Sequence, residues 1–128
     1  MSLEELRKLC SGNLIVVFGC GGNRDSGKRK IMGEIASRMA DIVIVTDDNP
    51  RNENPASIRR QIIEGAPLAI EIGSRSDAIE YAVNQLKKGD ILLIAGKGHE
   101  TYQIIGEEKH PFDDKLEAAR CLSILEKK

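Results

Sequence analysis

The sequence predicts an α/β fold, with an open, doubly wound, mostly parallel sheet of the Rossmann-like kind and a small antiparallel hairpin at its edge. Short runs rich in β-branched residues are typical of strands buried on both faces of a parallel sheet. Such runs occur at Leu14–Phe18, Ile42–Val45 and Ile91–Ala95, with a weaker candidate at Pro67–Ile72. Segments with helical spacing of apolar residues separate these runs, and this alternation indicates helices on both faces of one sheet.

Three interior helices are predicted from apolar residues that recur every three or four positions. We expect each stripe to face the core, and the stripes are Ile31, Ile35 and Met39, then Ile58, Ile62 and Ile63, then Ile79, Ala82, Val83 and Leu86. Asn54 is expected to cap the second of these helices, because Pro55 follows it at a position that suits the first helical turn.

Both ends of the chain carry weaker patterns. Ser2 and Glu5 have the spacing of a capping box, which predicts a short leading helix. Tyr102–Ile105 and Lys109–Phe112 predict the edge hairpin, and a last helix is expected from about Lys115.

Composition narrows the classes of function. The 128 residues suit one domain, and 19 Lys plus Arg against 20 Asp plus Glu give no reason to expect a nucleic-acid or membrane partner. Trp is absent and aromatic residues make up 3%, which argues against base-stacking modules. The charged start of the chain is unlike a signal peptide. Three cysteines without a CxxC pair are typical of reduced thiols, so a cytoplasmic protein is expected.

Three polar, glycine-rich segments follow predicted strands: Gly19–Lys28, Thr46–Arg51 and Gly96–Glu100. We call them the first, second and third loops. Ligands of open parallel sheets bind beyond the carboxyl ends of the strands, where these loops should converge. The sequence therefore predicts a ligand site at this edge.

The first loop resembles two phosphate-binding motifs and completes neither. Gly22, Gly27 and Lys28 have Walker A spacing, but Arg29 stands where a hydroxyl must hold Mg²⁺. The loop also begins like a dinucleotide fingerprint, with Arg24 at the last glycine position. The motif evidence alone favours a plain strand-to-helix turn, although Arg24 is well placed to bind a carboxylate.

The second loop suits a small zwitterion, and the third is most simply a strand-to-helix turn with exposed charges. TDDNPR predicts an ordinary turn before proline, and a rigid turn would hold Asn49 and Arg51 ready to bind an amino acid. His99 beside Glu100 resembles a general-base pair, but no motif places a Ser or Cys nucleophile with it. We therefore expect no catalytic residue in this chain, and no metal site, because no cluster has metal-ligand spacing.

VVFGCGGNRDSGKR, VTDDNPR and AGKGHETYQI, in this order, resemble the C-terminal domain of the MurE ligases over about Leu14 to Arg120. These enzymes add the third amino acid to UDP-N-acetylmuramoyl-L-alanyl-D-glutamate in peptidoglycan synthesis. The resemblance implies that this domain binds the incoming amino acid through Arg24, Asp48, Asn49, Pro50, Arg51, the backbone of Gly96, and Glu100.

Further expectations follow from the resemblance. An arginine at the end of DNPR implies meso-diaminopimelate rather than lysine as the amino acid. The family binds UDP mainly in an N-terminal domain and ATP with Mg²⁺ in a central domain. Residues 1–128 are therefore expected to be a single C-terminal domain, to lack both of those domains, and to be inactive alone.

Two other readings remain at this point. The chain could be a non-catalytic Rossmann-like module for a small molecule or nucleotide, with Asp47 or Asp48 as the acid that binds ribose, but its glycine pattern is broken. A purely structural or interaction domain would leave the three polar loops without a purpose.

Overall fold

The computed structural model describes residues 3–22, 27–95, 102–105 and 108–111. Helices and strands alternate through most of this range. In chain order they are α1 (Leu3–Leu9), β1 (Leu14–Phe18), α2 (Gly27–Met39), β2 (Ile42–Val45), α3 (Pro55–Gly65), β3 (Ile70–Glu71), α4 (Arg75–Gln85), β4 (Ile91–Ile94), β5 (Tyr102–Ile105) and β6 (Glu108–Pro111).

The first four strands form one parallel sheet in the order β3-β2-β1-β4. The predicted α/β class and parallel sheet are confirmed. β1 is central, between β2 and β4, and all five of its residues are buried. The predicted strand Pro67–Ile72 shortens to two residues at the edge, since a turn from Ala66 to Ala69 precedes it.

The core lies on both faces of the sheet. On one face, Leu14, Val16 and Phe18 pack in a cluster with residues of α2 and α3. On the other face, Ile15 and Val17 pack with α4. Alternate side chains of one strand thus serve two layers of helices, as a doubly wound sheet requires.

The predicted buried stripe of α2 is wrong. Ile31 and Ile35 are 53% and 40% exposed, whereas Gly33 and Ala36 are buried. α2 packs against α3 at very short range, because a Cβ on Gly33 would lie 2.2 Å from the carbonyl oxygen of Ile62. Small residues therefore form the contact face, and the larger apolar side chains turn outward.

The other helix predictions fare better. Asn54 caps α3 by accepting hydrogen bonds from the backbone nitrogens of Ala56 (2.9 Å) and Ser57 (3.2 Å), with Pro55 opening the helix. In the predicted apolar stripes of α3 and α4, five residues are buried as predicted, namely Ile58, Ile62, Ile79, Ala82 and Val83. None of the helices within the described ranges combines the length and apolar character needed to cross a membrane.

β5 and β6 pair antiparallel with each other. They form a separate two-stranded sheet, so the prediction that a hairpin extends the edge of the main sheet is not borne out. β6 begins at Glu108, one residue before the predicted start at Lys109. Ser2 and the predicted last helix lie outside the described residues.

Candidate functional site

The carboxyl ends of β1, β2 and β4 meet at one edge, as the sequence predicts. Thr46 donates its backbone N–H to the carbonyl of Phe18 (2.9 Å), and Ala95 donates to the carbonyl of Val17 (2.9 Å). The first and second loops then continue side by side. A Cβ on Gly19 would lie 2.3 Å from the carbonyl oxygen of Thr46, so only glycine permits this approach.

The first loop lies directly on the turn of the second. Gly22 donates its N–H to the carbonyl of Asn49 over 2.6 Å. A Cβ on Gly22 would lie 1.8 Å from the carbonyl oxygen of Pro50, which excludes any side chain there. Asp48 and Asn49 are both buried at this contact. The two loops therefore form one interlocked unit.

Arg51 ends this turn in a conformation that few residues adopt. Its φ is +53°, in the left-handed region that disfavours residues other than glycine, asparagine and aspartate. Its Nη1 donates to the carbonyl oxygens of Gly22 (3.2 Å) and Asn49 (3.3 Å). A guanidinium carries five N–H donors in a planar fork, so these bonds fix its direction and leave Nη2 and Nε as further donors.

Arg29 ties the same two loops together from beneath. Its side chain is buried, and its two terminal nitrogens contact the two carboxylate oxygens of Glu53, each at 3.0 Å. Nη1 also donates to Oε1 of Gln61 (2.8 Å), and Nη2 donates to the carbonyl of Gly21 (3.0 Å). The hydrogen bond to Glu53 raises the pKa of Arg29 above its usual value, so the pair stays charged.

These contacts explain the Walker A mismatch. Arg29 stands where a P-loop has the hydroxyl that binds Mg²⁺. Its guanidinium is hydrogen-bonded to Glu53 and Gln61, so this position does not fit a nucleotide-binding P-loop. Within the described residues, no group of three or more His, Cys, Asp or Glu side chains could hold a metal ion.

Arg75 joins the second loop to the residue that follows β4. It is the first residue of α4, and its buried guanidinium donates to the carbonyls of Asp47 (Nη1, 3.1 Å) and Ala95 (Nη2, 3.1 Å). Sequence reasoning missed both Arg75 and the role of Arg29. Their partners are distant in the chain and include backbone carbonyls, so no local pattern marks them.

Asp47 is engaged in an ion-pair network. Its carboxylate pairs with Arg59, which also contacts Glu71 through Nε at 2.8 Å. Burial raises the pKa of Asp47, and the ion pair with Arg59 opposes that rise without cancelling it. A carboxylate held by Arg59 is a poor ribose ligand, which weakens the nucleotide-binding alternative.

The structure thus brings four predicted site residues into one turn: Asp48, Asn49, Pro50 and Arg51. The other three, Arg24, Gly96 and Glu100, lie outside the described residues. The third loop follows Ala95, whose carbonyl Arg75 holds.

Comparison with known proteins identifies the family of the chain. The family model described as "Mur ligase, glutamate ligase domain" matches residues 1–98. A UDP-N-acetylmuramoyl-L-alanyl-D-glutamate–2,6-diaminopimelate ligase of Rickettsia montanensis is 54% identical over 127 residues, covering 96% of this chain and 26% of the relative. The ligase of the same name from Chelativorans sp. (strain BNC1) is 59% identical over 120 residues, covering 94% and 25%.

A solved structure of a UDP-N-acetylmuramoyl-L-alanyl-D-glutamate–2,6-diaminopimelate ligase matches with a TM-score of 0.90 and 41% identity. The match covers 97% of this chain and 26% of that one. The chain therefore spans about a quarter of the length of the relatives it matches. Because the family match and these identities extend over most of its residues, the chain belongs to the Mur ligase family and corresponds to that family's glutamate ligase domain.

Proposed function

We propose that this domain binds meso-diaminopimelate and orients it for an ATP-dependent ligase that joins it to UDP-N-acetylmuramoyl-L-alanyl-D-glutamate in peptidoglycan synthesis. The named activities of the relatives support the proposal. The observation that carries it is the rigid turn in which Asn49 and Arg51 are held against the first loop.

The turn suits a zwitterionic ligand. Arg51 offers a carboxylate a charge-assisted bond through donors that its two backbone contacts do not use. Asn49 supplies an amide that both donates and accepts. In the proposal Arg24 adds a second guanidinium from the first loop, while Gly96 and Glu100 contribute from the third, Glu100 as the partner of the ammonium group.

The contribution of such a domain to catalysis is orientation. ATP, bound with Mg²⁺ mainly by parts of the ligase outside this chain, activates the carboxylate of the nucleotide substrate. Placing the amine next to the activated carboxyl carbon converts a bimolecular step into an effectively unimolecular one, which lowers the barrier by up to ~7–11 kcal/mol. No catalytic side chain is needed here for that. A nucleotide-sugar substrate and free thiols at Cys10 and Cys20 also suit a cytoplasmic setting.

The test compares two asparagine substitutions in the full-length ligase. Asn49→Ala removes an amide from the proposed site and should raise the KM for meso-diaminopimelate with little change in the KM for ATP. Asn54→Ala removes the cap of α3, costs about 1 kcal/mol of stability, and should leave both KM values unchanged. If Asn49→Ala lowers the melting temperature but leaves the amino-acid KM unchanged, the proposed site is wrong.

A further inference from the structure

The ion pair between buried Arg29 and partly exposed Glu53 spans the contact between the first and second loops. We propose that Arg29 is a positioning residue for amino-acid binding: it sets the geometry of the turn Asn49–Arg51 without touching the ligand. The inference rests on the proposed function, because that turn is the proposed amino-acid site.

The contacts of Arg29 reach the turn from both sides. On one side its Nη2 holds the carbonyl of Gly21, and the next residue, Gly22, is bonded to both Asn49 and Arg51. On the other side both terminal nitrogens hold Glu53, whose own N–H donates to the carbonyl of Pro50 over 3.0 Å. A shift of the guanidinium is therefore passed to both ends of the turn.

Arg29 itself has little room to move. Its side chain is 2% exposed, and its partner Glu53, although 33% exposed, is tied to Pro50 through its own N–H. The absence of room between Gly22 and Pro50 means that the two backbones cannot slide past each other. Close packing of this kind transmits displacement instead of damping it.

The arrangement requires an arginine. Four contacts are made by two nitrogens of a planar fork, with both carboxylate oxygens of Glu53 bound end-on by Nη1 and Nη2. The ammonium of a lysine carries the same charge on a single nitrogen, so it cannot contact both oxygens of Glu53, Gln61 and Gly21 together. Arg29→Lys therefore keeps the positive charge at this position but removes the planar fork that makes the four contacts.

The experiment uses the full-length ligase with three substitutions. Arg29→Lys should raise the KM for meso-diaminopimelate about tenfold, since a small misplacement of binding groups has large kinetic effects. Glu53→Gln should act in the same direction and serves as the milder variant if Arg29→Lys folds poorly. The KM values for ATP and the nucleotide substrate should stay unchanged in both.

Arg7→Lys is the matched control. Arg7 pairs with Asp41 next to the first residue of β1, at the opposite edge of the sheet. This substitution should leave all three KM values unchanged. If Arg29→Lys raises the three KM values equally, or changes none while lowering the melting temperature, Arg29 is merely structural and the inference is wrong.

Arg51→Ala separates this inference from the proposed function. In that background Arg29→Lys should raise the amino-acid KM by a smaller factor than in the unmodified ligase, because one of the two binding residues that it positions is gone. An Arg51→Ala effect on the amino-acid KM together with no effect of Arg29→Lys overturns the positioning role alone. No effect of Arg51→Ala on that KM overturns the proposed site, and the inference with it.

Discussion

The guanidinium of Arg75 donates to the carbonyl of Asp47 over 3.1 Å, across 28 positions of the chain. Its other terminal nitrogen reaches Ala95 at the same distance. Because β1 lies between β2 and β4, Arg75 connects the loop after β2 to the end of a strand that does not neighbour β2 in the sheet. This side chain therefore links the second loop to the carboxyl end of β4.

Replacing Arg75 by methionine should destabilise the domain. The substitution keeps much of the side chain's length but leaves two carbonyls without their charged donor, a loss of about 1–3 kcal/mol. Urea denaturation of the chain gives the free energy of unfolding. Arg60→Met, on the exposed face of α3, is the control and should change it by less than about 0.5 kcal/mol. Equal values for the two variants would contradict a role for Arg75 in holding the second loop to the carboxyl end of β4.

Arg51 should determine which amino acid the full ligase prefers. Meso-diaminopimelate differs from lysine by one distal carboxylate, and a bond from arginine to that group is worth about 1.5–3 kcal/mol. A site left with an unmet polar partner can reject the wrong substrate by up to ~10⁴-fold. Arg51→Ala should therefore shrink the ratio of kcat/KM for the two amino acids. An unchanged ratio would show that Arg51 does not set specificity.

Gly33→Ala should destabilise the domain although alanine is the better helix former. On an open helix the substitution would gain up to ~1 kcal/mol. Here the new Cβ would lie 2.2 Å from the carbonyl of Ile62, so α2 and α3 must separate, at a cost of about 1–3 kcal/mol. Thermal unfolding followed by circular dichroism measures the effect. Ser37→Ala, on the exposed side of the same helix, should not lower the melting temperature.

Asp41 should make stability depend on acid pH. Its carboxylate accepts the N–H of Leu14 (2.8 Å) and pairs with Arg7, and these bonds lower its pKa below the usual 3.8. A lowered pKa in the folded state gives stability that is present above pH 3.8 and lost as the pH falls through the folded pKa. Asp41→Asn should therefore destabilise the chain at pH 7 and have little effect at a pH below both values. Denaturation curves at the two pH values test this, and an equal loss at both would contradict it.

The isolated chain should hydrolyse no ATP. Arg29 occupies the position of the Mg²⁺-binding hydroxyl and is held by Glu53, so this position provides no ligand for Mg²⁺. Phosphate release by the purified chain should equal that of buffer, and Lys28→Ala should not change it. Release that depends on Lys28 would contradict this reading.

Buried strands and helix caps were the features most accessible to sequence reasoning. Leu14–Phe18 and Ile42–Val45 match to the residue, because a run of β-branched residues flanked by polar ones has few other stable environments. The cap at Asn54 was equally predictable, because it depends only on residues next to it in the chain. The turn that holds Asn49 and Arg51 was placed correctly at the sheet edge because it directly follows β2.

Features that depend on contacts between distant segments were not accessible. The spacing of apolar residues in α2 predicts that Ile31 and Ile35 are buried. In the structure α3 packs so closely against α2 that Gly33 forms the contact face instead. In the sequence, Arg29 is notable only because it does not match the Walker A motif. Its pairing with Glu53 depends on how two helices start beside each other, which local spacing does not encode.

The contact between Gly22 and Pro50 also limits how this binding edge can be redesigned. With no space for even a methyl group between the two backbones, neither loop can change its path unless the other changes with it. Replacing TDDNPR alone with the corresponding turn of a relative that prefers another amino acid would set a foreign turn against the unchanged first loop. The smallest unit that can be exchanged as a working part is the pair of loops, together with the arginine and glutamate that join them.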